Sequence, residues 1–131
     1  MEDTLPTELV VEDGSQTVQT SEKLAGAKFV GIYFGAHWAP CCRRFTKTLQ
    51  DYYGQINASE RQFEVVFVSK DGNQEAFARN FSQMPWAAVS YGDEARRRAL
   101  EQQFGIMEIP SLVILSDTGA LITQEGLRDL S

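Results

Sequence analysis

The two cysteines of this chain stand side by side, at Cys41 and Cys42, within the segment HWAPCCRRF of residues 37–45. A thiol reacts as its thiolate, and a thiolate is stabilised by nearby positive charge and by the free N–H groups at the beginning of a helix. Pro40 suits the first position of a helix, where its missing N–H costs nothing, and two arginines directly follow the cysteines. These residue types in this order predict thiol chemistry at the N-terminus of a helix.

The elements on either side of this segment are predicted from hydrophobic periodicity. Residues 28–34 are apolar after the first, which predicts a strand buried on both faces. From Pro40 onward, apolar residues recur at helical spacing and predict an amphipathic helix over residues 40–58. These apolar residues are Phe45, Leu49, Tyr52 and Ile56. Because α/β sheets place their sites at the ends of buried strands, the thiols lie where a site is expected.

The remainder of the chain continues the alternation of strands and helices. We predict strands over residues 7–13, 15–20, 63–69, 111–116 and 120–126, with hairpin turns at Asp13-Gly14 and Asp117-Thr118-Gly119. Helical segments are predicted over residues 21–27, 73–81 and 93–105. The last helix is expected to turn Ala95, Ala99, Leu100 and Phe104 inward and to use Gly105 as its C-cap. This pattern predicts an α/β fold with a central mixed β-sheet flanked by helices, in a single domain over residues 1–131.

Length and charge limit the function classes. The chain has 131 residues, the size of one domain, and a formal net charge of −6, which argues against binding to nucleic acid or to acidic membranes. The apolar runs are too short to span a bilayer, and the N-terminus lacks the apolar region of a secretory signal. Two adjacent cysteines are too few for a disulfide-stapled secreted scaffold. We therefore expect a soluble monomer in the cytoplasm, with the nucleus as an alternative.

The segment YFGAHWAPCCRRF, residues 33–45, resembles the active-site segment of the thioredoxin superfamily, in its tryparedoxin and nucleoredoxin branch. That branch carries the sequence Trp-Cys-Pro-Pro-Cys-Arg after a buried strand. The resemblance continues through residues 63–72, 84–98, 104–119 and 121–130. It implies a thioredoxin-like fold and a thiol–disulfide oxidoreductase that reduces protein disulfides, is itself reduced by an upstream thiol reductant, and needs no cofactor or metal.

The resemblance also implies a set of catalytic positions, from which this chain departs. Cys42 matches the second, resolving cysteine of the family, whereas Ala39 stands at the position of the nucleophilic cysteine. Cys41 stands at the position of the second proline. On the family pattern, Cys42 is expected to be buried one turn into the helix and Cys41 to be the more exposed thiol. Without a nucleophile at residue 39, we expect disulfide-reductase activity to be weakened.

The substrate-binding residues implied by the resemblance are Trp38, Pro40, Ile109 and Pro110. The family carries a cis-proline loop against its thiols, which here maps onto the Ile109-Pro110 bond. A cis bond is otherwise uncommon before proline in folded proteins. We therefore expect Pro110 to lie within contact distance of Trp38 or Cys42.

Further departures concern the surroundings of the motif. Tyr33 stands where many thioredoxins keep a buried carboxylate, and Lys70 stands where tryparedoxins have a second tryptophan. Asp71 matches an acidic position of the family. The chain ends at Ser131, where the family usually continues into a last helix, as expected of a domain truncated at its C-terminus or of one module of a longer chain.

Several alternatives stay open at this point. Ala39 is either the natural residue or an introduced replacement of cysteine; as an N-cap, alanine offers nothing in compensation. The two thiols could be inert helix residues, because free cysteine is often simply buried. The chain could be a non-catalytic module that binds partners over the groove between Trp38 and Pro110. A further alternative is a [2Fe–2S] cluster shared by two copies, each supplying two thiolates.

For three other features we predict solvent exposure or core packing and no part in the chemistry. His37 is expected to be exposed and solvated. The three arginines at residues 96–98 are expected to form a solvated helix face. Trp86 is expected in the core or along the groove.

Overall fold

The computed structural model describes residues 4–12, 14–124 and 126, and within these ranges the chain forms one mixed sheet between helices. The strands are β1 (Glu8–Val11), β2 (Gln16–Gln19), β3 (Phe29–Gly35), β4 (Phe63–Ser69), β5 (Ala87–Ala88), β6 (Ser111–Ser116) and β7 (Leu121–Thr123). The helices are α1 (Thr20–Leu24), α2 (Pro40–Ile56), α3 (Gln74–Phe81) and α4 (Glu94–Gln103). The α/β class and the central mixed sheet predicted from the sequence are confirmed.

The sheet has the order β2-β1-β5-β4-β3-β6-β7. Strands β3 and β4 are parallel and in register from Phe29 opposite Phe63 to Gly35 opposite Ser69, so their carboxyl ends coincide. Strand β6 pairs antiparallel with the other side of β3. Strand β3 therefore lies between β4 and β6, and the thiol segment leaves the sheet beside the end of β4.

Each face of the sheet carries its own hydrophobic core. The alternating side chains of β3 and β4 divide between the two faces, as expected for a sheet covered on both sides. One face packs against α4 through Leu100 and Phe104. The other packs against α2 through Phe45 and Leu49, and against α3 through two phenylalanines that stack on Phe67. Helix α2 is therefore fixed across the sheet with its N-terminus at the carboxyl end of β3.

Two predictions about local structure are wrong. Leu100 and Phe104 of α4 are buried as predicted, but Ala95 and Ala99 are exposed, because arginines of the first two turns take their place on the inner face. Alanine has too little apolar surface to decide that choice. The C-cap of α4 is Phe104, and Gly105 follows it with a positive φ of 61°.

Other boundaries differ from the sequence predictions. The predicted strand 120–126 ends at Thr123, and Gly126 is helical. The short strand β5 was not predicted, because two alanines carry no periodic signal. In the first hairpin, β1 and β2 pair as predicted, but Asp13 of the predicted turn lies outside the described residues.

Candidate functional site

Helix α2 begins at the thiol segment, as predicted. Ala39 is its N-cap, with φ −94° and ψ 116°, and Pro40 is its first residue. The Ala39 carbonyl accepts hydrogen bonds from the N–H of Cys42 at 3.0 Å and of Arg43 at 3.2 Å. The Ala39 side chain makes no capping hydrogen bond, so the side-chain acceptor that Ser or Asp would offer at this position is missing. Residue 39 thus lies at the positive end of a helix of 17 residues.

The two thiols are free and lie in different environments. Cys42 is buried, with 1% of its surface exposed, whereas Cys41 is exposed, as the family pattern implies. Burial raises the pKa of the Cys42 thiol, and a backbone hydrogen bond at Ala36 offsets part of that rise. The Sγ atom of Cys41 lies 3.4 Å from a guanidinium nitrogen of Arg44. Cys42 is therefore held as a protonated thiol near neutral pH, and Cys41 is the accessible one.

Tyr33 lies beneath the first turn of α2. Its hydroxyl donates to the Cys42 carbonyl at 3.1 Å and lies 2.7 Å from the hydroxyl of Thr46. Burial raises the pKa of the Tyr33 phenol, so this group stays neutral. A side chain at Gly35, on the same face of β3, would come within 2.9 Å of the Tyr33 ring. Tyr33 therefore supports the helix by a neutral hydrogen bond at the position where the resemblance expects a carboxylate.

The segment of residues 69–71, directly after β4, holds the loop that precedes α2. The N–H of Lys70 donates to the Gly35 carbonyl at 2.9 Å, and the Lys70 carbonyl accepts from the Trp38 indole at 3.2 Å. The buried Asp71 carboxylate accepts from the N–H of His37 at 2.9 Å. Two hydrogen bonds thus fix the loop of residues 36–39, through His37 and Trp38, and a third holds the end of β3 from which the loop starts. The sequence signal for Asp71 was only its family position, and its contact with His37 was not predicted.

An open cavity of about 340 Å³ lies beside Trp38 and residue 39. Its other lining residues are Lys70, Ile106, Met107, Glu108 and Ile109. Trp38 is 64% exposed and Met107 is 94% exposed, so the rim of this cavity is apolar and accessible.

The structure brings three of the predicted binding and catalytic residues, Trp38, Ala39 and Ile109, to one cavity. The Ile109-Pro110 bond is cis, as predicted. Pro40 and Pro110 do not line the cavity, and the contact of Pro110 with Trp38 or Cys42 stays a prediction. A second open cavity, of about 360 Å³, lies at the opposite end of β3, between α1 and Asp117, and holds neither thiol.

Some of the residues for which no chemical role was predicted lie where they were expected, and others do not. His37 is exposed, and Trp86 is buried in the core with its ring 5.5 Å from that of Tyr53. Arg98 is exposed and paired with Glu94. The solvated face predicted for all three arginines is wrong for the other two, which are partly buried and donate to backbone carbonyls.

Two further properties concern the part of the chain that the structure describes. Within it, no three His, Cys, Asp or Glu side chains are grouped so that they could hold a metal ion. Nor does any helix within it have the length and apolar character needed to cross a membrane.

Comparison with protein families identifies a match to the model described as thioredoxin-like, over residues 26–121. Among curated proteins, nucleoredoxin of Xenopus laevis is 46% identical over 125 residues, which cover 92% of this chain and 30% of that protein. Nucleoredoxin of Homo sapiens is 43% identical over 117 residues, which cover 89% of this chain and 26% of that protein. The chain thus spans less than a third of the length of these relatives.

Solved structures give the same result for the fold. Tryparedoxin from Trypanosoma brucei is 34% identical with a TM-score of 0.87, and the match covers 98% of this chain and 88% of that one. Thioredoxin from Wuchereria bancrofti is 31% identical with a TM-score of 0.85, over the same shares of the two chains. These scores confirm the thioredoxin-like fold predicted from the sequence.

Proposed function

Since the chain belongs to the thioredoxin-like family, in its nucleoredoxin and tryparedoxin branch, we propose that it is a protein-disulfide oxidoreductase whose activity depends on residue 39. The observation that carries this proposal is the position of Ala39. It is the N-cap of α2, lines the cavity beside Trp38, and stands one helical turn before the buried thiol of Cys42. A thiol at that position would meet both a substrate and a resolving partner.

The reaction proposed for a thiol at residue 39 has two steps. Its thiolate attacks one sulfur of a substrate disulfide, forming a mixed disulfide and releasing the other substrate sulfur as a thiolate, which takes up a proton. The Cys42 thiol then loses its proton and attacks the sulfur of residue 39, releasing the second substrate thiol. An upstream thiol reductant returns the resulting 39–42 disulfide to two thiols.

The chain as it stands has only Cys41 to open this reaction. Cys41 is exposed and lies close to Arg44, so it can reach a disulfide in solution. Its mixed disulfide would have to be resolved by Cys42, its immediate neighbour. Neighbouring Cα atoms are about 3.8 Å apart, whereas disulfides usually need about 4.4–6.8 Å, so a bridge between them is strained. We therefore propose that the activity of this chain is very weak.

The test is insulin reduction by dithiothreitol, with the chain and its Ala39→Cys variant as catalysts. We expect Ala39→Cys to raise the rate strongly, by at least about tenfold, because it supplies the missing nucleophile. Ala39→Ser is the matched control, since it restores an N-cap acceptor without a thiol. Equal rates for the chain and Ala39→Cys would contradict the proposal and move the chemistry to Cys41 or to no thiol.

A second candidate function is a non-catalytic module that binds protein partners over the cavity beside Trp38. The exposed apolar surface of Trp38 and Met107 favours it, because such binding needs no thiol. Insulin reduction by the chain itself distinguishes the two functions. A rate above that of dithiothreitol alone, lost in Cys41→Ser, is expected of the oxidoreductase, and a rate equal to that of dithiothreitol alone is expected of the binding module.

The partners and location that we propose follow from this chemistry. Protein disulfides are the substrates and a cellular thiol is the reductant, which places the protein in a reducing compartment, the cytoplasm or the nucleus. The net charge of −6 supports the exclusion of nucleic acid and acidic membrane surfaces as partners. We propose a monomer. Since the chain spans less than a third of its nucleoredoxin relatives, these proposals concern this domain.

A further inference from the structure

An arginine of helix α4, Arg97, contacts the end of β4. The Arg97 guanidinium donates to the Ser69 carbonyl at 3.1 Å and to the Tyr91 carbonyl at 3.0 Å, and it lies 4.1 Å from the centre of the Tyr91 ring. In the described part of the chain, Arg97 takes part in no ion pair. Two of its N–H groups instead bind backbone carbonyls, one at the end of β4 and one at Tyr91, which distinguishes it from a solvated arginine.

Tyr91 continues this connection toward the site. Its hydroxyl donates to the Asp71 carbonyl at 2.7 Å. The Asp71 carboxylate in turn accepts from the N–H of His37 in the loop of residues 36–39. Every link from Arg97 to that loop is therefore a hydrogen bond or a ring contact, although neither Arg97 nor Tyr91 touches a thiol or lines the cavity beside Trp38.

A second contact from the same face of α4 reaches the same segment. Glu101, one turn after Arg97, forms an ion pair with the Lys70 side chain at 3.0 Å. The Lys70 carbonyl is the acceptor for the Trp38 indole. Helix α4 thus contacts Lys70, the residue that binds Trp38, directly, and reaches Asp71, the residue that binds His37, through Tyr91.

We infer that Tyr91 and Arg97 are positioning residues for the loop that carries Trp38 and residue 39. They fix the segment of residues 69–71, and that segment fixes the loop through its hydrogen bonds with His37 and Trp38 and the start of the loop through its bond to Gly35. Catalysis by thiol exchange is sensitive to such placement, because the attacking sulfur must align with the disulfide. The catalytic part of this inference rests on the proposed function; the structural part does not.

Amide hydrogen exchange in the chain as it exists tests the structural part. The N–H of His37 reports the loop, and the N–H of Val66 in the centre of β4 reports the core. We expect Tyr91→Phe, which removes one oxygen, to speed exchange at His37 relative to Val66 by about three- to tenfold, the effect of losing one hydrogen bond. Arg97→Lys should act in the same direction. Arg98→Lys is the matched control, since Arg98 is exposed and forms a surface ion pair with Glu94, and should change neither rate.

Two results would overturn the inference. One is an unchanged exchange rate at His37 in Tyr91→Phe. The other is an equal acceleration at His37 and Val66, which would mean that Tyr91 and Arg97 only stabilise the fold. A second measurement adds Tyr91→Phe to the Ala39→Cys variant and should lower its reductase rate about three- to tenfold without unfolding it. If Ala39→Cys is itself inactive, the proposed function fails while the exchange result still decides the positioning role.

Discussion

Strand β4 has a buried carboxylate near each end, and the two are bound in different ways. At the carboxyl end, Asp71 accepts from neutral donors, which are the His37 amide, the Ser69 hydroxyl at 2.6 Å and the Asn80 amide at 3.3 Å. Near the beginning, Glu64 accepts from the Arg61 guanidinium at 2.9 Å and from the Tyr53 hydroxyl at 2.9 Å.

The difference indicates what each carboxylate does. Glu64 joins separate elements, because Tyr53 belongs to α2 and Arg61 also donates to the Ala25 carbonyl after α1 at 2.7 Å. Its partner Arg61 carries a full charge, and Glu64 itself is 1% exposed. The Asp71 carboxylate instead accepts only neutral N–H and O–H groups: Ser69 of β4 and Asn80 of α3 hold it in place, and the His37 amide connects it to the loop of the site. We conclude that the beginning of β4 is built for the stability of the fold and its carboxyl end for the geometry of the site.

The largest effect that we expect on stability comes from Glu64→Ala. Removing one partner of a buried ion pair leaves Arg61 without its carboxylate and Tyr53 without its acceptor. We expect the free energy of unfolding to fall by about 3 kcal/mol, at the low end for such pairs because Arg61 is partly exposed. Urea denaturation measures it. Lys28→Ala, which breaks the exposed pair with Glu60, is the control and should cost about 0.5 kcal/mol or less. Similar losses in the two variants would contradict the role given to Glu64.

A smaller loss of stability, but a larger change at the site, is expected of Asp71→Asn. The amide keeps one oxygen and so retains some of the hydrogen bonds, which limits the loss to about 1–2 kcal/mol. The loop that holds Trp38 should loosen, and the Trp38 emission, obtained by subtracting the spectrum of the same protein with Trp38→Phe, should shift to longer wavelength. Glu64→Gln, an equally small change at the other end of β4, should leave that emission unchanged. Equal shifts in both variants would remove the distinction between the two ends.

The last expected effect, absent at neutral pH, is a loss of stability in alkaline solution. Burial raises the pKa of Cys42 above its ordinary value of 9.0 and raises the pKa of Tyr33 and Tyr53 above 10.0. The folded state therefore binds these protons more tightly than the unfolded state does. This stabilisation is complete below the unfolded pKa values and is lost as the pH rises through the folded ones.

We therefore expect the free energy of unfolding to fall as the pH rises above about 9, by at most about 1.4 kcal/mol per pH unit for each proton released. Urea denaturation between pH 8 and pH 10.5 measures the slope. Cys42→Ala should flatten the slope at the lower end of this pH range, where the thiol of the site contributes. Tyr53→Phe should flatten the slope only above pH 10. An unchanged slope in Cys42→Ala would mean that its thiol does not contribute.

Much of the scaffold could be predicted from the sequence because its longest elements are strongly periodic. Strand β4 was predicted with its observed limits, and helix α2 was predicted from its apolar spacing and from Pro40. The resemblance supplied the cis bond at Ile109-Pro110. The environments of the two thiols followed from the same resemblance.

The support of the site could not be predicted, because it depends on contacts between distant residues. Arg97 and Ser69 are 28 residues apart, and so their contact leaves no local pattern. Hydropathy assigns arginine to solvent, whereas Arg97 is partly buried and donates to the carbonyls of Ser69 and Tyr91. Asp71 and His37 are 34 residues apart, so their contact leaves no local pattern either.

The close approach of Tyr33 to Gly35 has a consequence for sequence variation among relatives. Because a Cβ at residue 35 would come within 2.9 Å of the Tyr33 ring, a tyrosine at residue 33 and a side chain at residue 35 exclude each other. A shorter acidic residue at position 33, as many thioredoxins have, would remove that conflict. We therefore expect the two positions to covary, so that glycine at 35 accompanies tyrosine at 33 and alanine or serine becomes tolerated once the ring is gone. A double substitution such as Tyr33→Asp with Gly35→Ala should then be less destabilising than the sum of its two parts.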